Sequence, residues 1–142
     1  HIYMIDLTDL PSLNSLKGLG KENRVIAINN INNSKPVDDI HLLQNCKIVH
    51  IYNDLLKDST GFDQVEELLV QGSSVGMKPD NITDLITNDI PDSDFFGSLG
   101  RCKFVGVQVG DITASEVRHL FEQVLTCSLI VKFSLSSAGI RT

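Results

Sequence analysis

The chain has 142 residues, 42% of them hydrophobic and 21% charged, at a mean hydropathy of +0.04. That is long enough to bury a core without disulfide or metal staples, and unlike a disordered segment. A formal net charge of −6, with Lys and Arg scattered, speaks against a phosphate-backbone partner, and no apolar run reaches the roughly 18 residues of a membrane span.

From the N-terminus, His1-Ile2-Tyr3-Met4 lacks the basic, apolar, small-residue order of a signal peptide. Ile2, Ile5 and Leu7 fit a strand template with apolar residues at positions one, four and six, and residues 11–16 supply a short helical signal. Val25 and Ile28 fit the template in part, with Asn30 third. Residues 36–43 read as a helix, opened by Pro36 and the acids Asp38 and Asp39, which suit a helix N-terminus. Ile48 and Ile51 begin a third strand, and Val65, Leu68 and Val70 a fourth. The long interval that follows is expected to hold extra helices at 79–88 and 93–99, on either side of the loop Asp89-Ile90-Pro91-Asp92.

The last 40 residues are the most informative. Phe104, Val107 and Val109 form a strand, and Thr113 with Glu116 matches a capping box. Val117, Leu120, Phe121, Val124 and Leu125 then draw one apolar helical stripe. Ile130, Phe133 and Leu135 form a second strand about 26 residues after the first. Strand starts at 2, 25, 48, 65, 104 and 130 include intervals of about 23, 23 and 26, and one strand plus one helix per 20–29 residues is the period of a leucine-rich repeat.

Three cysteines, Cys46, Cys102 and Cys127, stand at helix-to-strand junctions and read as buried structural thiols in a reducing, intracellular setting. Cys102 and Cys127 are expected at equivalent places in successive repeats, stacked but unbonded. No C-x-x-C pattern occurs, and His41, His50 and His119 are widely separated, so no metal site is expected.

Neither the Gly18-Leu19-Gly20-Lys21 run nor the Gly72–Gly76 turn makes a phosphate loop of the G-x-x-x-x-G-K-[ST] type, and Ser73 and Ser74 lack a G-x-S-x-G setting. The acid pairs Asp38/Asp39, Glu66/Glu67 and Asp92/Asp94 read as solvated faces or helix starts. No catalytic residue and no cofactor is expected.

The units NCKIVHIYND, RCKFVGVQVGDIT and TCSLIVKFSLSSAGI resemble the cysteine-before-strand repeats of the ribonuclease-inhibitor-like leucine-rich-repeat class, and DLPSLNSLKGL is similar. That class includes the sensor regions of nucleotide-binding leucine-rich-repeat receptors and the substrate arms of F-box adaptors. The resemblance implies an α/β solenoid fragment of five or six parallel strands with outer helices. The resemblance is carried by about the last 40 residues, and residues 1–142 are expected to form one domain of a longer, cytoplasmic protein. A compact α/β sandwich is the competing architecture. The implied function is non-enzymatic recognition of a protein, with no nucleic acid and no membrane, as in an innate-immune receptor. The alternatives are the arm of a ubiquitin-ligase adaptor and a small α/β phosphate-binding enzyme that uses the Gly72–Gly76 turn. On the solenoid reading, strand alternation puts His50, Tyr52, Glu67, Gln71, Gln108 and Lys132 on the exposed sheet face as binding residues, with Leu69, Gly106 and Ser134 beside them.

Overall fold

A computed structural model describes residues 4–6, 25–28, 46–52 and 62–141; within it, side chains are described for 46–51 and 62–141. The expected helices at 11–16 and 36–43 lie outside the described residues. The strands are β1 (Met4–Asp6), β2 (Val25–Ile28), β3 (Ile48–Tyr52), β4 (Glu67–Gly72), β5 (Asp84–Thr87), β6 (Phe104–Thr113) and β7 (Lys132–Arg141). A single α-helix among the described residues, α1 (Ala114–Leu125), lies between β6 and β7. All seven strands form one sheet in strict chain order, and every neighbouring pair is parallel.

The core shows what holds the middle of this sheet. One apolar triplet, spaced by three and then two residues, recurs at successive strands. It reads Cys46/Val49/Ile51, Val65/Leu68/Val70, Ile82/Leu85/Thr87 and Cys102/Val105/Val107, and each of these twelve side chains is at most 4% exposed. Ile130/Phe133/Leu135 repeats the pattern at β7, partly buried against the same core. In each triplet the first residue stands two positions before its strand, and the other two point to one face of the pleat.

The crossings between strands cover that same face. Phe62 lies in a 3-10 turn (Phe62–Gln64) before β4, Met77 between β4 and β5, and Phe96 in a second 3-10 turn (Phe96–Ser98) before β6. Leu120 and Val124 come from α1. All five join the triplets in one hydrophobic cluster.

Hydrogen bonds repeat with the pattern. The carbonyl of Lys47 accepts from the N–H groups of Glu66 and Glu67, that of Thr83 from Lys103 and Phe104, and that of Lys103 from Val131 and Lys132. Between β4 and β5, Thr83 takes a variant of this role: its hydroxyl accepts from Leu68 N at 2.8 Å, and its N–H donates to Leu68 O. Arg101 ties three crossings together, its guanidinium donating to Asn81 O at 2.9 Å and to Phe62 O at 3.0 Å.

Several expectations are corrected. The segment 79–88 is a turn followed by β5, not a helix; its alternating Asp84-Leu85-Ile86-Thr87 buries Leu85 and Thr87 and leaves their neighbours half exposed. The segment 93–99 forms only the short 3-10 turn. Gly97 and Gly100 disfavour a longer helix there, and the chain at Gly100 runs so close to the preceding crossing that a Cβ would lie 2.6 Å from Asp80 O. The triplets begin at Cys46 and Cys102 where the sequence suggested Ile48 and Phe104, so both of those side chains lie on the opposite, half-exposed face. The register pairs Phe104 with Lys132, which places Ile130, and not Cys127, opposite Cys102. Finally, Leu120 and Val124 of the α1 stripe are buried, but Phe121 is 45% and Leu125 83% exposed.

Candidate functional site

The described crossings all lie on one face, and among the described residues no element covers the other face of the sheet. Parallel sheets are normally covered on both sides, so this open face is the first place to look for a ligand. Along β4, Glu67, Leu69 and Gln71 are half exposed while Leu68, Val70 and Gly72 are buried, and β3 and β5 alternate in the same way.

Register turns these positions into rows. His50, Leu69, Asp84, Phe104 and Lys132 pair successively across β3 to β7. One step along the strands lies the row Tyr52, Gln71, Ile86, Gly106 and Ser134. One step the other way, Ile48 pairs with Glu67. Leu69, Ile86 and Phe104 thus make a half-exposed apolar centre. The Phe104 ring leans over Gly106, where a Cβ would stand 3.3 Å from Phe104 Cζ and 3.6 Å from Ile86 Cγ1. A larger residue at Gly106 would push the ring off the sheet.

Charge lies within and beside this centre, Asp84 standing in the row between Leu69 and Phe104. On the β3–β5 side, His50 Nε2 lies 3.2 Å from Glu67 Oε1, with both side chains about two-fifths exposed (39% and 43%). Asp84 Oδ2 accepts from the Thr83 hydroxyl at 2.8 Å. On the β7 side, Lys132 Nζ sits 5.7 Å from the centroid of the Phe104 ring, within cation–π range.

Of the residues expected to bind, His50 and Glu67 are brought into contact, and Gln71 lies beside the centre. Lys132 closes the row at β7, and Gln108 stands farther along β6, opposite Ser136. Tyr52 takes its backbone place beside Gln71; its side chain lies outside the described residues. Sequence reasoning missed Asp84, Ile86 and Phe104. The spacing of Ile82, Leu85 and Thr87 was the signal that could have found β5, hidden because Thr87 fills the last apolar position.

The Gly72–Gly76 turn does not offer an empty anion cradle. Gly72 and Gly76 adopt φ of 143° and 73°, and the turn is built around the Asp89 carboxylate. That carboxylate accepts from the Ser73 hydroxyl at 2.9 Å and from Ser74 N at 3.0 Å. The adjoining groove, about 520 Å³, is lined by Asp89, Asp92 and Asp94 together with Val75, Ile90 and Phe95. An incoming phosphate would meet three carboxylates in that groove.

The described members of the other acid pairs engage separate partners or solvent. Glu66 and Glu67 engage different partners, Lys47 (3.6 Å) and His50 (3.2 Å), while Asp92 and Asp94 are exposed. Asp38 and Asp39 lie outside the described residues. Among the described residues no group of three or more His, Cys, Asp or Glu side chains could hold a metal ion, and no helix is long and apolar enough to cross a membrane.

All three cysteines are free. Burial pushes the Cys102 thiol up to about 12 and also raises that of Cys46. Cys102 Sγ donates to Phe104 O at 3.1 Å. Cys127, expected to be equally buried, is only half buried because it lies in the turn after α1, where its thiol donates to Phe96 O at 3.4 Å. Compared with protein-family models, curated proteins and solved structures, the chain gives no match.

Proposed function

We propose that this chain is a leucine-rich-repeat-type solenoid and that its open sheet face recognises another protein without catalysing a reaction. The observation that carries the reading is the recurring triplet: four successive strands bury the same apolar pattern on one side and leave the other side open. In a solenoid each unit packs only on its neighbours, so the same positions must stay apolar from unit to unit. The repeated two-donor carbonyls at Lys47, Thr83 and Lys103 support the same reading. A doubly wound enzyme would reverse its strand order and bind ligand at the reversal, with crossings on both faces; the sequential order argues against that fold. Within this reading the module serves as the ligand-sensing or autoinhibitory region of a cytoplasmic innate-immune receptor, a setting in which free thiols stay reduced.

A photo-crosslinking residue placed in turn at Gln71, Gln108 and Arg118 tests the proposal in cells that express the protein. Gln71 and Gln108 report the open face, and the exposed Arg118 reports α1. Discrete protein adducts at the two sheet positions and none at Arg118 are expected. Adducts at Arg118 alone, or the same adducts at all three positions, would contradict it.

A further inference from the structure

The charges on the open face are ordered rather than mixed, and this order restricts what can lie across it. Glu67, paired to His50, lies beside Leu69 on β4, Asp84 stands in the row between Leu69 and Phe104, and Lys132 closes that row at β7. Two acids against one lysine make an anionic polymer a poor fit. A purely apolar ligand would leave all three charges without a new partner.

We propose that the open face takes an extended protein segment lying across the strands. Such a segment would set a Lys or Arg over Glu67 and Asp84, an apolar side chain on Leu69, Ile86 and Phe104, and an Asp or Glu against Lys132. The inference rests on the recognition reading above and names its partner's chemistry. The dimensions agree. Strands lie about 4.8 Å apart, so β5 to β7 spans roughly 10 Å and β4 to β7 roughly 14 Å, which an extended chain covers in about three to four residues at ~3.3 Å each. The Phe104 ring reaches over Gly106, and Lys132 Nζ lies 5.7 Å from the centroid of that ring. A carboxylate arriving at Lys132 therefore meets a cation placed beside the apolar contact.

The test is an amide-resolved NMR titration of the whole chain with four peptides at millimolar concentration. The probes are acetyl-Lys-Ala-Leu-Ala-Glu-amide and its Lys/Lys, Glu/Glu and Gln/Gln versions. The mixed-charge peptide should shift the amides of Leu69, Asp84, Ile86, Phe104 and Lys132, and should bind about tenfold more tightly than either like-charge peptide, as two solvent-accessible ion pairs would give. Lys132→Glu, on the exposed edge strand, should keep the amide pattern of the fold and turn the preference to the Lys/Lys peptide. Equal binding of all four peptides at these residues overturns the charge order and leaves the recognition reading standing. No shift with any peptide also overturns the inference, while the crosslinking result above decides the recognition reading by itself. Shifts confined to α1 overturn the inference as well.

Discussion

The crossings between β3 and β6 and the crossing from β6 through α1 to β7 solve one packing problem with opposite local means. The inner crossings are short: Leu69 pairs with Asp84, 15 residues on, and Asp84 with Phe104, 20 residues on. Among the described residues they hold no α-helix, yet they bury Phe62, Met77 and Phe96 almost completely. The last crossing spans 28 residues, from Phe104 to its partner Lys132, and contains the best-formed helix, with both halves of its capping box made. It nevertheless leaves Phe121, Leu125, Leu129 and Val131 between 45% and 83% exposed. Local signals decide whether a helix forms, whereas burial depends on having a neighbour on each side.

Core truncation breaks the comparison most strongly. Leu85 is wholly buried between flanking triplets, so Leu85→Ala should lower unfolding stability by about 2–5 kcal/mol. Leu125→Ala on the exposed side of α1 should change it by no more than about 0.5 kcal/mol. Urea denaturation monitored by circular dichroism measures both; similar losses would mean that the α1 end is covered in solution.

A second pair of substitutions probes how closely the inner crossings stack. At Gly100 a Cβ would lie 2.6 Å from the backbone oxygen of Asp80, which cannot move cheaply, so Gly100→Ala should cost about 1–3 kcal/mol. At Gly97, three residues earlier in the same segment, a Cβ meets nothing within 4 Å, and Gly97→Ala should be close to neutral. Melting temperatures of the two variants make the comparison; equal shifts would rule out the close approach.

The helix start gives a smaller, pH-dependent effect. Thr113→Ala removes the hydroxyl that accepts from Glu116 N at 3.1 Å and should cost about 1 kcal/mol. Glu116 accepts from Thr113 N at 2.9 Å, and the hydrogen bonds with the Thr113 backbone and side chain hold its carboxyl below the ordinary glutamate value. Its contribution is therefore complete above the ordinary glutamate pKa and lost as pH falls through the lowered one. Glu116→Gln should flatten the acid limb of a stability–pH curve, and an unchanged limb would contradict the capping bond.

The thiols show the contrast without a change in stability. Cys102, wholly buried and with its pKa pushed up to about 12, should react with a thiol reagent only through opening of the fold. Cys127, half buried beside α1, should react first. Mass spectrometry of the partly labelled protein gives the order, and faster labelling of Cys102 would reverse the assignment of inner and outer regions.

These residues also show how far the sequence could be read. Thr113, Glu116 and the apolar spacing after them made α1 legible, because capping and periodicity are local. The triplets at Val65 and Ile130 were found in the right phase. Those at Cys46 and Cys102 were read two residues late, since Ile48 and Phe104 are larger apolar residues than the cysteines that fill the inner position. β5 was unreadable as a strand because Asp84-Leu85-Ile86-Thr87 is four residues long and Thr87 is buried as a polar residue. The open-face positions His50, Glu67, Gln71, Gln108 and Lys132 followed from alternation. Asp84, Ile86 and Phe104, at the centre of that face, required the register.

The central claim is that one face of this sheet is covered by crossings and the other is open, and adjacent residues on the same strands report it directly. A soluble gadolinium chelate should strongly relax the methyl groups of Leu69 and Ile86, while those of Leu68 and Leu85, one residue away on β4 and β5, stay shielded. Shielding of all four side chains would mean a sheet covered on both faces, and would contradict both the one-sided fold and the recognition surface assigned to it.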